Sequence, residues 1–199
     1  EKWRLDSIQE IYKKKIVQVL DPTLLLEEKD YEPLVCPEEI IKDDYIFFFV
    51  YPMGDEVRKY VAFVNTLARK YHLKVVHTCT NAPQYMFDNN AGCVMYDGIE
   101  EFLWYVKYSK IVVTNSYHGL IFSILFQKPF YLIVREKGKE RIMELVELLK
   151  LQDRVVRDYI PVERLSNSIN YEYTNKILEV NRRKSILFLE EVLGIEKYE

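Results

Sequence analysis

The segment Lys110 to Phe130, KIVVTNSYHGLIFSILFQKPF, gathers the side chains best suited to chemistry. An apolar run leads into a polar turn, Asn115-Ser116-Tyr117-His118-Gly119, which opens an apolar helical stretch from Leu120 to Phe126. A helix N-terminus offers unpaired backbone N–H groups and partial positive charge, which together suit an anion. Asn115 and Ser116 can cap or donate, His118 adds an imidazole that can carry a proton, and Gly119 admits a ligand or the backbone. A purely structural account makes Ser116 the N-cap and pairs His118 with a neighbouring loop; spacing alone leaves both open. A second candidate lies in Arg135 to Arg141, REKGKER. Lys137 and Lys139 fit a solvated loop. Arg141 instead stands at the start of a helix, where its charge opposes the dipole and invites an anion as partner.

The remaining chemistry-bearing residues fit simpler roles. His72 falls at a helix end, as a solvated terminal residue does. His77 falls inside an apolar strand, as a satisfied core residue. The three histidines show no HxxxH or HxH spacing and the cysteines (Cys36, Cys79, Cys93) no CxxC, so no metal site, disulfide framework or cofactor is expected. Glu100-Glu101 suit a first helical turn; Glu38-Glu39 and Asp43-Asp44 suit solvent. Neither a GxGxxG fingerprint, a P-loop nor a GxSxG elbow occurs. A net charge of −3 argues against nucleic-acid binding by charge. The longest apolar runs, Tyr45 to Met53 and Leu120 to Phe126, are far below the roughly 20 residues that span a bilayer. No signal peptide is visible, although the chain opens at Glu1 rather than Met. The 16 tyrosines fit either sugar-facing surfaces or half-buried packing.

These residues need elements to hold them, and the hydrophobic pattern supplies a repeating alternation. Trp3 to Lys15 has helical spacing, and Ile16 to Leu20 reads as a short strand. Asp21-Pro22-Thr23 sets an N-cap and a Pro at the first position of a short helix through Leu26. Residues 28–44 look like a charged surface loop. Tyr45 to Tyr51 (YIFFFVY) is apolar at every position, as in a parallel strand covered on both faces. A helix follows from Val57 to Tyr71, then a strand from Leu73 to Cys79. The long stretch 80–92 has little periodicity, and Val94 to Tyr96 suits a short strand. A helix from Ile99 to Tyr108, a strand from Lys110 to Thr114, a strand from Pro129 to Val134 and a helix from Glu140 to Leu149 come next. Val155-Val156 suits a small strand, Pro161 to Leu165 a short helical turn, and 171–193 a long helix closed by Gly194. This order predicts an α/β fold: an open parallel Rossmann-like sheet with helices on both faces, its ligands bound where the strands end.

The chain resembles the polysaccharide pyruvyl transferase family. The resemblance rests on VLDPTLLL (Val19 to Leu26), YIFFFVYPMG (Tyr45 to Gly54), Glu100 to Phe130, ERIMELVELLKLQDR (Glu140 to Arg154) and the stretch Ile169 to Leu193. It implies a two-lobed fold similar to GT-B glycosyltransferases. This chain would be the C-terminal lobe, with 1–15 as a linker helix from a missing N-terminal lobe and 16–199 as the donor-binding lobe. The family reaction moves pyruvate from phosphoenolpyruvate to two sugar hydroxyls as a ketal. The resemblance assigns His118 as acid/base or phosphate contact, and Asn115, Ser116, Tyr117, Gly119 and Arg141 to substrate. Family members can carry an arginine ahead of the histidine; here Ser116-Tyr117 stand there, so Arg141 or the other lobe would supply the cation. The expected partners are phosphoenolpyruvate, a lipid-linked or nucleotide-linked saccharide and the N-terminal lobe. The expected place is the cytoplasm, including the inner face of the membrane. The alternatives are a GT-B-like lobe that uses a nucleotide sugar, and a non-catalytic sugar-binding or docking module.

Overall fold

A computed structural model describes Leu5 and residues 8–11, 16–51, 54–78, 84–88, 92–94, 98–134, 139–156 and 168–195. Six strands form one parallel sheet: β1 (Tyr45–Phe49), β2 (Lys74–Thr78), β3 (Gly92–Val94), β4 (Ile111–Thr114), β5 (Phe130–Ile133) and β6 (Val155–Val156). Their spatial order is β3-β2-β1-β4-β5-β6, with every pairing parallel. This is a Rossmann-type sheet, and its order reverses between β1 and β4. The connecting helices are α1 (Val57–Tyr71), α2 (Ile99–Tyr108), α3 (Tyr117–Leu125) and α4 (Glu140–Leu148), and α5 (Tyr171–Leu193) follows the sheet.

The unbroken apolar run of β1 is explained by two cores, one on each face. Ile46, Phe48 and Val50 pack with Val57, Tyr60, Val61 and Val64 of α1. Phe47 and Phe49 point to the other face and meet Phe102 and Leu103 of α2 and Leu120 and Phe122 of α3. Many aromatics serve this second core. Phe47 stacks on Tyr105 at 5.4 Å, and the Tyr31 ring meets Phe122 edge-on at 5.0 Å. Each large apolar side chain buried in this way contributes about 1.5–3 kcal/mol. Helix α3 is buried on nearly all sides, which is why its sequence shows no polar stripe.

Four expectations are corrected. Residues 16–20 form no strand: the Leu20 N–H donates to Ser185 Oγ of α5 at 2.9 Å instead of to a sheet neighbour. Residues 28–44 are not a plain loop. Glu28–Tyr31 forms one α-helical turn and Glu32–Leu34 a 3-10 turn, because the Asp30 carboxylate accepts from the Glu27 amide at 2.8 Å and the Tyr31 ring is buried. Helix α3 begins at Tyr117, earlier than its apolar run suggests, since Ser116 caps it; His118 and Gly119 are therefore helical. The short helix expected after Pro22 is a 3-10 turn over Pro22–Leu24. The third strand covers Gly92–Val94, and residues 95–96 of the strand expected at 94–96 lie outside the described residues. The expected elements at 161–165, most of 3–15 and most of 80–92 lie outside the described residues.

His77 is the buried exception to an apolar core. It is 1% exposed on β2, its ring lies 4.2 Å from Phe87 at 21°, and its Nε2 has no hydrogen-bond partner among the described residues. Burial pushes its pKa below the ordinary histidine value, and the contact of Nδ1 with the Thr78 carbonyl only partly opposes this. The folded chain therefore favours the neutral form of His77 more than the unfolded chain does. The unfolded chain binds the proton first, so stability is complete above pH about 6.5 and falls as pH drops below it. Denaturant midpoints of the wild type should decline over that range, and His77→Leu should flatten the part of the decline that His77 causes.

Candidate functional site

The strand order reverses between β1 and β4, and two consecutive residues tie their carboxyl ends together. Thr114 Oγ1 donates to the Phe49 carbonyl at 2.6 Å and accepts from the Ser116 amide at 3.0 Å. Asn115 is buried; its Oδ1 accepts from the Tyr51 amide at 2.7 Å and its Nδ2 donates to the Tyr51 carbonyl at 3.2 Å. Ser116, 1% exposed with extended backbone (φ −87°, ψ 136°), caps α3 by accepting from the Gly119 amide at 3.2 Å. Asn115, Ser116 and the Gly119 amide thus all have partners within the chain, and they build the mouth of α3.

Gly119 admits backbone. A Cβ on it would lie 2.5 Å from Thr114 Oγ1, so glycine lets α3 press against the end of β4. The same hydroxyl makes the bond to Phe49, so it cannot move aside without loss. Gly119→Ala should therefore lower stability by about 1–3 kcal/mol through overpacking, although alanine is the better helix former. Thermal denaturation of the variant against the wild type checks this.

The side chains that leave the mouth come from the first turns of two helices. His118 is exposed on the first turn of α3. Its ring centroid lies 5.7 Å from that of Tyr117, the planes at 76°. Tyr117 is half-buried, and the Arg141 guanidinium of α4 lies 3.8 Å from its ring centroid, within cation–π range. Arg141 Nη2 also donates to Asp21 Oδ2. The structure thus brings His118, Tyr117 and Arg141 together and adds Asp21, whose sequence setting suggested only a helix cap. It is a cap as well: Oδ1 accepts from the Thr23 amide at 3.0 Å. Burial raises the Asp21 carboxyl, but the bonds from Thr23 and the charges of Arg141 and His118 outweigh this and hold it below its ordinary value. One signal for Asp21 was available: a cation at the start of a helix needs an anion. Nothing in the sequence shows that an aspartate 120 positions away provides it.

A groove of about 660 Å³ adjoins this cluster, and Asp21, Tyr117, Arg141, Glu144, Asn181 and Lys184 line part of it. Of the other candidates, His72 is exposed at the end of α1, and residues 135–138 lie outside the described part. Among the described residues, no group of His, Cys, Asp and Glu side chains is arranged to hold a metal ion. No helix among them is long and apolar enough to cross a membrane.

Fold and site together define a Rossmann-type α/β protein with a histidine, a tyrosine and an arginine–aspartate pair clustered where the strands end. The family model for polysaccharide pyruvyl transferase matches residues 6–137. The chain belongs to the polysaccharide pyruvyl transferase family. No curated protein matches it. Among solved structures it is similar to a UDP-GlcNAc 2-epimerase from Methanocaldococcus jannaschii, at 15% identity and TM-score 0.45 over 72% of this chain and 40% of that one. It is also similar to the glycosyltransferase SnogD from Streptomyces nogalater, at 10% identity and TM-score 0.49 over 85% and 51%. A third is the UDP-GlcNAc 2-epimerase from Neisseria meningitidis, bound to UDP-GlcNAc, at 15% identity and TM-score 0.46 over 84% and 47%. The chain spans about half the length of these proteins or less.

Proposed function

We infer that residues 16–199 form the donor-binding, C-terminal lobe of an enzyme that transfers pyruvate from phosphoenolpyruvate to a saccharide as a ketal. In this reading 1–15 lead toward an N-terminal lobe that completes the acceptor site. The supporting observation is an exposed imidazole, His118, and a guanidinium, Arg141, both against Tyr117 at the carboxyl edge of a parallel sheet.

The chemistry asks for such a pair. A proton is added to the methylene carbon of phosphoenolpyruvate, and C2 becomes electrophilic. One sugar hydroxyl oxygen bonds to C2 and loses its proton. The C2–O bond to phosphate then breaks, a second hydroxyl oxygen bonds to C2 with loss of its proton, and phosphate departs with one proton. A positioned general acid is worth roughly 10²–10⁴ in rate, and His118 takes that role. The donor carries a carboxylate and a phosphate, and a helix terminus contributes only about 0.3–1 kcal/mol to an anion. A guanidinium fork matches either group, which is the role given to Arg141. The buried Asn115, Ser116 and Gly119 shape the mouth, and Tyr117 forms its apolar wall. The acceptor is a lipid-linked or nucleotide-linked saccharide, and the reaction takes place in the cytoplasm at the inner face of the membrane, in building a cell-envelope polysaccharide.

Calorimetric titration with phosphoenolpyruvate tests the reading. The wild type should bind, and His118→Ala and Arg141→Ala should each weaken binding roughly tenfold to a hundredfold, as loss of a charge-assisted contact does. Binding of a nucleotide sugar with no response to phosphoenolpyruvate would replace this reading with a glycosyltransferase lobe. Binding of a free sugar that neither substitution affects would point to a non-catalytic module.

A further inference from the structure

We propose that Asp21 is a positioning residue for Arg141, acting on the donor through the guanidinium; this rests on the donor-site reading above. The Asp21 side chain is 8% exposed and that of Arg141 42%, so the pair joins a nearly dry carboxylate to a guanidinium partly open to solvent. Burying a carboxylate to neutralise a surface arginine is a poor way to gain stability, since desolvation offsets the attraction. It is a good way to fix a direction. Oδ1 is committed to the Thr23 amide, which sets the carboxylate plane and so the direction of Oδ2. Oδ2 meets one end of the guanidinium, whose central carbon lies over the Tyr117 ring at 3.8 Å from its centroid. A flexible side chain is thereby given one orientation, beside the first turn of α3 that carries His118.

Asp21 is itself rigidly held. The Tyr31 hydroxyl donates to the Thr23 carbonyl at 2.9 Å, and the Leu20 amide donates to Ser185 at 2.9 Å. Arg182 Nε donates to the Leu24 carbonyl at 2.9 Å, and Arg182 Nη2 to the Leu26 carbonyl at 3.1 Å. A turn needed only to join two elements requires no such fastening. A turn that aims a carboxylate does.

Asp21→Asn separates the two duties of the residue. Its carbonyl oxygen still accepts from Thr23, while its NH₂ group faces the guanidinium, donor against donor. The first measurement needs no ligand: the ¹⁵N heteronuclear NOE of the Arg141 Nε–H signal, identified by its loss in Arg141→Ala. The signal should be rigid in the wild type and mobile in Asp21→Asn, with backbone amides unchanged. An equally rigid signal in the variant overturns the proposal. The second is a double-mutant cycle with phosphoenolpyruvate as the titrant. Asp21→Asn should weaken binding about tenfold in the wild-type background, and less than about twofold once Arg141 is alanine. Equal losses in both backgrounds, or none in either, also overturn it. If the wild type ignores phosphoenolpyruvate, the donor reading fails, while the NMR measurement still decides whether Asp21 orients Arg141. Should Asp21→Asn fail to fold, Asp21→Ser keeps a capping oxygen without the reach or charge and takes its place.

Discussion

The structure depends on how β4 is fastened to β1. A sheet whose connections leave by one face on one side and by the other face on the other must open between the two central strands. Left open, that gap would expose unpaired backbone groups at a buried edge, each costing about 1–3 kcal/mol. Thr114 and Asn115 close it, the first through the Phe49 carbonyl and the second through both polar groups of the Tyr51 peptide. Everything that faces the crevice is built outward from those bonds. Ser116 takes its place from Thr114, α3 starts from Ser116, and the first turn of α3 carries Tyr117 and His118.

Much of the sheet could be seen in the chain because its physics is local. YIFFFVY can be stable only where both faces are covered, and the stripe of α1 states its own period. The errors have a common cause. Ile16 to Leu20 has strand composition, yet its backbone partner is a serine on α5. The apolar run of α3 hides the start of the helix, because the capping oxygen comes from a residue that also fits a turn. In each case a long-range or capping hydrogen bond decided the outcome against composition.

The candidate site divides in the same way. His118 and Arg141 were visible as reactive types at helix starts. Asn115 and Ser116 were visible as polar residues at the right place, but their partners were not: an amide side chain fits an anion and a peptide equally well, and here it meets Tyr51. Asp21 was legible as a cap and illegible as an ion-pair partner, since the carboxylate does both with different oxygens.

The clasp that α5 makes on the turn at Leu20–Leu26, through Ser185 and Arg182, ties together parts of the chain 156 to 165 positions apart. Both residues lie at or beyond the middle of a helix that runs from Tyr171 to Leu193. Cutting the chain ahead of Arg182 would therefore strip three bonds from the segment that presents Asp21, while leaving every strand of the sheet in the sequence.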